Sequence, residues 1–291
     1  MANNFGSVVE RLAPQVETAL MELPALFRWV NSDFSLTPGS RGDTIPSQFT
    51  VPIVPRAVTP GVIFVAPADL APRKVDLVIN NWEEAAFVVR NDDALRVTDE
   101  FLAQQAREAV RALGNFIEVT IYNEMVSTAS GTISAAFSTT PMVNINSGTC
   151  LLDRALAPSD DRTFLFNTYV KNQLLNFNST TAGTFMLRGS NTNPEDAVVN
   201  GNLGRIAGDC RAQATNLPQV LSSFLFHRGA VGVAVRTARG ANDIVVQDPR
   251  TGLPFVLQQR DLYYEQYISV SCLWGVKALR GEFAVQYTSV V

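Results

Sequence analysis

The chain has 291 residues, 46% of them hydrophobic, which is ample for a buried core in one or two subdomains. Charged residues make up only 17% and the net charge is −4, a balance that gives no sign of a dedicated nucleic-acid binder with its basic patch or stripe, while leaving room for a surface that tolerates nucleic acid nearby. Cys150, Cys210 and Cys272 are odd in number, far apart and in no CxxC pair, which argues against a disulfide framework or a zinc site. The N-terminus has no charged segment followed by an apolar run, and no apolar stretch approaches the roughly 20 residues of a membrane span, so a soluble protein made inside a cell is expected. Lysine stands only at Lys74, Lys171 and Lys277. Arginine suits planar interface contacts, although genomic base composition produces the same skew.

Residues 7–31 carry Val8, Val9, Leu12, Val16, Leu20, Leu23, Leu26, Phe27 and Val30 at helical spacing, interrupted by Pro14 and Pro24. Two or three short helical pieces with one apolar face are predicted, because each proline removes a backbone bond. Residues 32–73 are rich in proline, with short alternating runs such as Phe49, Val51 and Ile53, and an apolar run over Val62 to Val65. Val75, Leu77 and Ile79 share one face of a further strand. Residues 48–90 therefore read as a hairpin-like excursion with little core of its own, and a two-stranded ribbon of that kind is marginal in water without a neighbour.

Thr98 to about Ala129 is the clearest helix. Thr98 is a good N-cap, with Asp99 and Glu100 in the first turn. Leu102, Ala106, Ala109, Val110, Leu113, Phe116, Ile117, Thr120, Ile121 and Met125 make one stripe, with Arg107, Glu108, Arg111, Glu118 and Glu124 mostly off it. Such a helix is roughly 45 Å long, well beyond the globular average. Residues 130–148 read as loop or edge strand and 149–157 as a short helix. Thr163 to Asn167 reads as a buried strand, with Asn167 capping a helix through Leu175. Residues 176–204 read as a long Asn/Gly-rich surface excursion. Phe224 to Val235 reads as a short helix or turn before a strand, and 239–253 as turns. Tyr263 to Val291 reads as two strands, with Ile268, Val270 and Cys272 on one face of the first and Phe283, Val285 and Tyr287 on one face of the second.

Catalytic equipment is sparse. His227 is the one histidine, and Ser222, Asp209 and Asp248 are potential companions, but there is no GxSxG elbow. A structural or capping histidine is the expectation. No phosphate loop or complete dinucleotide glycine pattern occurs. Glu83-Glu84, Asp92-Asp93 and Asp160-Asp161 read as solvated turns, and Arg41-Gly42-Asp43 as a chance tripeptide in a flexible arm. The Asn178 sequon reads as idle. No catalytic residue, cofactor or metal is expected.

Several phrases, in order, resemble the major capsid proteins of tailed bacteriophages with the Hong Kong 97-type fold. They are Val75-Asp76-Leu77-Val78-Ile79-Asn80 ending a β excursion, Asn91-Asp92-Asp93 leading into the long helix with Ala112-Leu113-Gly114-Asn115 at its middle, and Asp161 to Asn167. Phe226-His227-Arg228-Gly229-Ala230-Val231 and Leu273-Trp274-Gly275-Val276-Lys277-Ala278-Leu279-Arg280-Gly281-Glu282 follow. Gly281 stands where the family commonly has proline. The look is closest to coat proteins of short-tailed, lambdoid-type phages without a large inserted domain. The resemblance implies an α+β fold with an N-terminal arm (1–47), an extended loop (48–90), a peripheral domain (91–148 and 240–272) carrying the spine helix 98–129, and an axial domain (149–239 and 273–291). It implies self-assembly through hexamers and pentamers into an icosahedral shell around double-stranded DNA. Portal, scaffolding and decoration proteins would be partners. The site would be the virion, after synthesis in the host bacterial cytoplasm, with no membrane partner. Leu12, Val16, Leu20, Leu23, Phe27, Phe49, Val51 and Ile53 are expected to pack between subunits. Crosslinking through Lys74 is not expected. Two alternatives remain open: an encapsulin-like cellular nanocompartment shell, and a hydrolase-type enzyme using His227.

Overall fold

Two six-stranded sheets share one long helix. The computed structural model describes residues 26–49, 73–90, 99–135, 137, 140–179, 205–206, 210–215, 222–238, 244–247, 252–263 and 265–289. The expected helical pieces over 7–25, the segments with Val51, Ile53 and Val62 to Val65, the Thr98 cap and the excursion from 180 to 204 lie outside these residues.

The first sheet runs β1 (Asn31–Pro38), β10 (Val231–Thr237), β13 (Glu265–Ala278), β12 (Pro254–Leu262) and β11 (Ile244–Gln247), and β4 (Asn81–Arg90) pairs along β13. β1 is parallel to β10, and the other pairings are antiparallel. The second sheet runs β5 (Gly131–Ala135), β14 (Ala284–Ser289), β9 (Ser223–His227), β6 (Arg162–Asn167), β8 (Cys210–Thr215) and β7 (Arg205–Ile206). A separate ribbon pairs β2 (Thr44–Phe49) with β3 (Arg73–Val78).

The long helix α2, Asp99–Thr128, matches the predicted span. Ala106, Val110, Leu113, Ile117, Ile121 and Met125 form its buried stripe. They pack on β13, β4 and β10, so the stripe lies on a sheet and not in a helix bundle. Ile268, Val270, Cys272 and Trp274 meet it from β13. Burying each of the larger side chains contributes roughly 1.5–3 kcal/mol. Two positions depart from the expected stripe. Phe116 is 51% exposed, with only its edge against Trp274 at 5.9 Å, whereas Glu118 is 1% exposed.

The second sheet has an aromatic core. Phe164 lies 5.4 Å from Tyr287 and 6.0 Å from Phe137, centroid to centroid, and Tyr122 of α2 meets Phe224 at 5.5 Å. Helix α3 (Pro141–Arg154) packs over β5, β9 and β14. The expected loop at 130–148 is thus a strand and the start of a helix. Pro141 occupies the first turn, where no N–H is needed, and Ile145, Gly148 and Leu152 face the sheet. Helix α4 (Thr168–Ser179) begins as predicted, with Asn167 Oδ1 accepting from Val170 N at 2.8 Å. The apolar segment 224–235 is two strands joined by a single 3₁₀ turn at Arg228–Ala230, not a short helix. Helix α1 is described over Leu26–Trp29, and its Leu26 and Phe27 belong to this core.

These pairings also redraw the expected subdivision. Residues 81–90 are a core strand and leave the excursion, because Phe87 and Ala85 sit opposite Ile268 and Val270 toward the helix. Residues 31–38 join the first sheet and not an arm. Strand β5 and helix α3 belong with the second sheet, and β10 and residues 273–278 with the first.

Gly275 shows where the ribbon meets the first sheet. A Cβ there would run into the carbonyl of Val78, which is backbone and cannot swing aside. Gly275→Ala should therefore destabilise the subunit by about 1–3 kcal/mol, read as a lower midpoint in thermal or urea unfolding.

Candidate assembly surface

The ribbon is held at both ends. At its root, Gly42 (φ 99°) donates to Ile79 O at 2.7 Å, and Ile79 N donates to Asp43 O at 2.9 Å. Asp43 Oδ2 accepts from Ser40 N at 2.7 Å, and Arg41 Nε donates to Asn80 O at 2.9 Å. Arg41-Gly42-Asp43 is thus a built turn, not a segment of flexible arm. Glycine serves there because the positive φ would strain other residues. Six register pairs later, the Arg280 guanidinium lies 5.1 Å from the Phe49 ring centroid and 5.0 Å from that of Phe283. Arg73 Nη1 reaches Glu282 Oε1 at 3.5 Å beside them.

Residues 278–283 carry the chain from the first sheet to the second. Ala278 N donates to Glu124 Oε1 at 2.9 Å. Leu279 N and Arg280 N both donate to Ala230 O, at 2.8 and 3.1 Å, and Ser130 N donates to Gly281 O at 3.2 Å. A Cβ on Gly281 would meet the carbonyl oxygen of Thr128, so the glycine permits the close passage over the end of α2. That is a local reason for Gly281 where the resembled family has proline.

His227 behaves as a capping residue. Its Nδ1 accepts from Gly229 N at 3.0 Å and its ring meets Phe283 edge-on at 5.7 Å. Burial lowers its pKa, partly offset by Asp160 and Asp161. Burial pushes the thiol of Cys272 and the phenol of Tyr287 up, which keeps both neutral. Of the acidic pairs, Glu84 accepts from Tyr267 OH at 2.7 Å and raises its pKa, while Asp161 sits at φ 55° in a turn. Among the described residues no three His, Cys, Asp or Glu side chains gather as a metal site. No helix of the described residues is long and apolar enough to cross a membrane.

Of the eight residues expected between subunits, two lie in the described regions. Phe27 is buried in its own core, and Phe49 is half-buried against Arg280. Among the described residues the exposed large apolar side chains are elsewhere. Val78 ends β3, Trp82 and Val88 are on β4, Phe101, Phe116 and Val126 on α2, Val143 on α3, Tyr169 on α4, and Leu156 and Tyr263 in turns. Leu156 is 78% exposed and holds φ 58° at the end of α3, a conformation costing a leucine about 1–2 kcal/mol.

No protein-family model matches the chain, and no curated protein is similar to it in sequence. Solved structures are similar along nearly its whole length. A structure from Mycobacterium phage Che8 superposes with a TM-score of 0.62 at 16% identity, covering 84% of each chain. The capsid of cyanophage P-SCSP1u gives 0.65 at 13% identity, covering 90% of this chain and 86% of that one. A virus-like particle from Pyrococcus furiosus gives 0.59 at 13% identity, covering 96% and 98%. The fold is the Hong Kong 97-type capsid fold.

In this fold the long helix, the 228–230 turn and β8 together hold residues 26–30. Glu118 Oε1 accepts from Leu26 N at 2.9 Å, Arg228 Nε donates to Val30 O at 3.3 Å, and Arg211 stacks over Trp29 at 4.9 Å. Helical periodicity could not reveal Glu118 as buried, since it sits one step off the apolar stripe. Arg280 and Glu282 stood out only as part of a family-like phrase and Arg211 not at all, and the partners of all three lie far away in sequence.

Burial pushes the Glu118 carboxyl from its ordinary value near 4.5 up to about 7, with the Leu26 hydrogen bond opposing the shift. The folded state thus binds this proton more tightly than the unfolded chain. Its contribution to stability is full below pH 4.5, declines as pH rises toward 7, and stays at the lower level above that. The slope is at most about 1.4 kcal/mol per pH unit. Glu118→Gln should flatten that window and stabilise the subunit above pH 7, as measured by urea unfolding across pH 4–8.

Proposed function

We propose that this chain is a major capsid protein. Many copies form hexamers and pentamers that close into an icosahedral shell around the double-stranded DNA of a tailed bacteriophage. The observation that carries this reading is the whole-length likeness to phage capsid subunits, including the cyanophage P-SCSP1u capsid, at 86–90% mutual coverage. The role is structural, with no reaction assigned. In this reading the first sheet with α2 is the peripheral domain, the second sheet with α3 and α4 is the axial domain, and residues 50–72 are the tip of the extended loop. Leu12, Val16, Leu20 and Leu23 of the arm, with Phe49, Val51 and Ile53 of the loop, are the intersubunit contacts. Large interlocked interfaces of this kind gain about 25 cal/mol per Å² of apolar area removed from water.

The net charge of −4 fits a shell that encloses DNA without binding it tightly, because strong binding requires many phosphate-neutralising cations. Portal, scaffolding and decoration proteins are the proposed partners in assembly, and the virion is the final location. A nanocompartment shell is the second reading, supported by the likeness to the Pyrococcus furiosus particle. Expression with the neighbouring genes, followed by size exclusion and negative-stain microscopy, tests both. Megadalton closed particles are expected, and nuclease-protected double-stranded DNA rather than a packaged enzyme selects the phage reading. Monomers of about 32 kDa under those conditions would refute a shell.

Removing residues 1–25 should leave a soluble subunit with a cooperative melt but no closed particles, since the truncation keeps the buried Leu26 and Phe27 and removes the proposed arm contacts. Normal shells from the truncated protein would remove the arm from the assembly interface. Leu156→Gly should stabilise the isolated subunit by about 1 kcal/mol by relieving its left-handed strain, and should lower particle yield if that exposed side chain is a contact.

A further inference from the structure

We propose that Glu118 and the Leu26 amide form a latch that pH operates: residues 26–30 stay docked on α2 while the carboxyl holds its proton, and open from it when the carboxyl ionises. The latch is a buried acid with a single polar tie. Glu118 is 1% exposed, and its Oε1 accepts from Leu26 N at 2.9 Å. Among the described residues it has no ion pair. An ionised carboxylate offers about four lone-pair sites, and one amide N–H fills only one of them. Buried in that state, it loses hydration that nothing replaces. A protonated carboxyl keeps the same bond, with Oε1 accepting and Oε2 carrying the proton, and gives up far less hydration.

Leu26, Phe27 and Val30 are buried when docked, and their opening admits water to Glu118. The other polar holds on the segment are Arg228 Nε to Val30 O at 3.3 Å and Arg211 over the Trp29 ring at 4.9 Å. Both are arginines and keep their charge at any working pH. Arg28, in the segment itself, is exposed. On α2, Arg111 pairs with Glu108, Tyr122 OH accepts from Ser222 N, and Glu124 accepts from Ala278 N. On the second sheet Arg211 also reaches Asp161 at 3.7 Å. His227, at the start of the turn that bears Arg228, changes charge in the same range with the opposite sign. Burial favours its neutral form, whose Nδ1 accepts from Gly229 N, so acid loosens that turn. Opening as pH rises is therefore the mark of Glu118. Docked, its carboxyl titrates near 7; opened, near the ordinary 4.5. Between those values opening becomes easier by up to about tenfold per pH unit, and it levels off above them. The latch belongs to the folded chain and does not depend on the shell reading.

Hydrogen exchange read by mass spectrometry on the full-length chain at pH 5, 6, 7 and 8, corrected at each pH for the intrinsic exchange rate, tests the latch. Protection of peptides spanning 26–30 should fall by at least about tenfold from pH 5 to pH 8 and stay below that of β13 throughout. Below about 1 M urea it should barely change, because a local opening exposes little surface. Glu118→Gln keeps an acceptor for Leu26 N without a charge, so its protection should be the same at all four pH values. Glu118→Ala should leave the segment weakly protected at all four. His227→Gln should keep the wild-type trend. Equal protection at pH 5 and pH 8 in the wild type would overturn the latch, as would a wild-type trend surviving in Glu118→Gln or vanishing in His227→Gln. Protection in 26–30 that equals that of β13 and falls with it in urea would also overturn it, since the whole subunit would then be unfolding. Where Glu118→Gln does not fold, the wild-type series decides alone: a tenfold fall with little urea dependence supports the latch, and a flat profile overturns it.

Discussion

The match in length between α2 and β13 is the constraint on which the other elements depend. A helix of 30 residues rises about 45 Å, and a strand of 14 residues rises about 46 Å. The two can therefore lie against each other end to end, with Ile268, Val270, Cys272 and Trp274 filling the stripe of the helix. An average strand of five or six residues could cover less than half of such a helix. β13 in turn gives β4, β10 and β12 their register. It is buried on both faces over much of its length, so Ser269, Ser271 and Leu273 are covered as fully as the residues facing the helix.

The second consequence of that pairing is the crossing at 279–283. The chain leaves the first sheet at Ala278 and enters the second at Ala284. The helix end and the residue just after it supply partners on the way, through Glu124 Oε1 and Ser130 N, and the Thr128 carbonyl closely abuts Gly281. The 3₁₀ turn at Arg228–Ala230 makes the opposite crossing, from β9 to β10, and Ala230 O receives both Leu279 N and Arg280 N. Two crossings bonded to each other and to one helix fix the angle between the sheets at a single place. The ribbon meets the body at that same place, through Arg280 and Glu282.

Where one face is wet and the other dry, the sequence displays the structure openly. The helix 99–128 was legible from its stripe, β3 from Val75, Leu77 and Ile79, and the start of α4 from the Asn167 cap. The hidden parts have identifiable causes. β1 is parallel to a partner two hundred residues away and ends in Pro38, which an edge strand tolerates, so its proline-rich setting looked like arm. Helix α3 is written in Asn, Ser, Thr and Gly, weak helix formers that tertiary packing of Ile145 and Leu152 overrides. Gly148 there is required because the Tyr287 hydroxyl occupies the space of a Cβ. The site was less legible than the fold. Glu118, Arg280 and Trp29 act through partners 92, 231 and 182 positions away, and no local pattern encodes such pairings.

The exposed apolar residues make sense as a distribution rather than as single features. Three of them border one stretch of β13: Trp82 stands opposite Leu273, Phe116 meets Trp274, and the Val78 backbone lies against Gly275. The ribbon meets the same body at its other end through side chains, where the Arg280 guanidinium lies near the rings of Phe49 and Phe283 and Arg73 reaches Glu282, whereas its root is bonded through backbone at residues 42, 43 and 79.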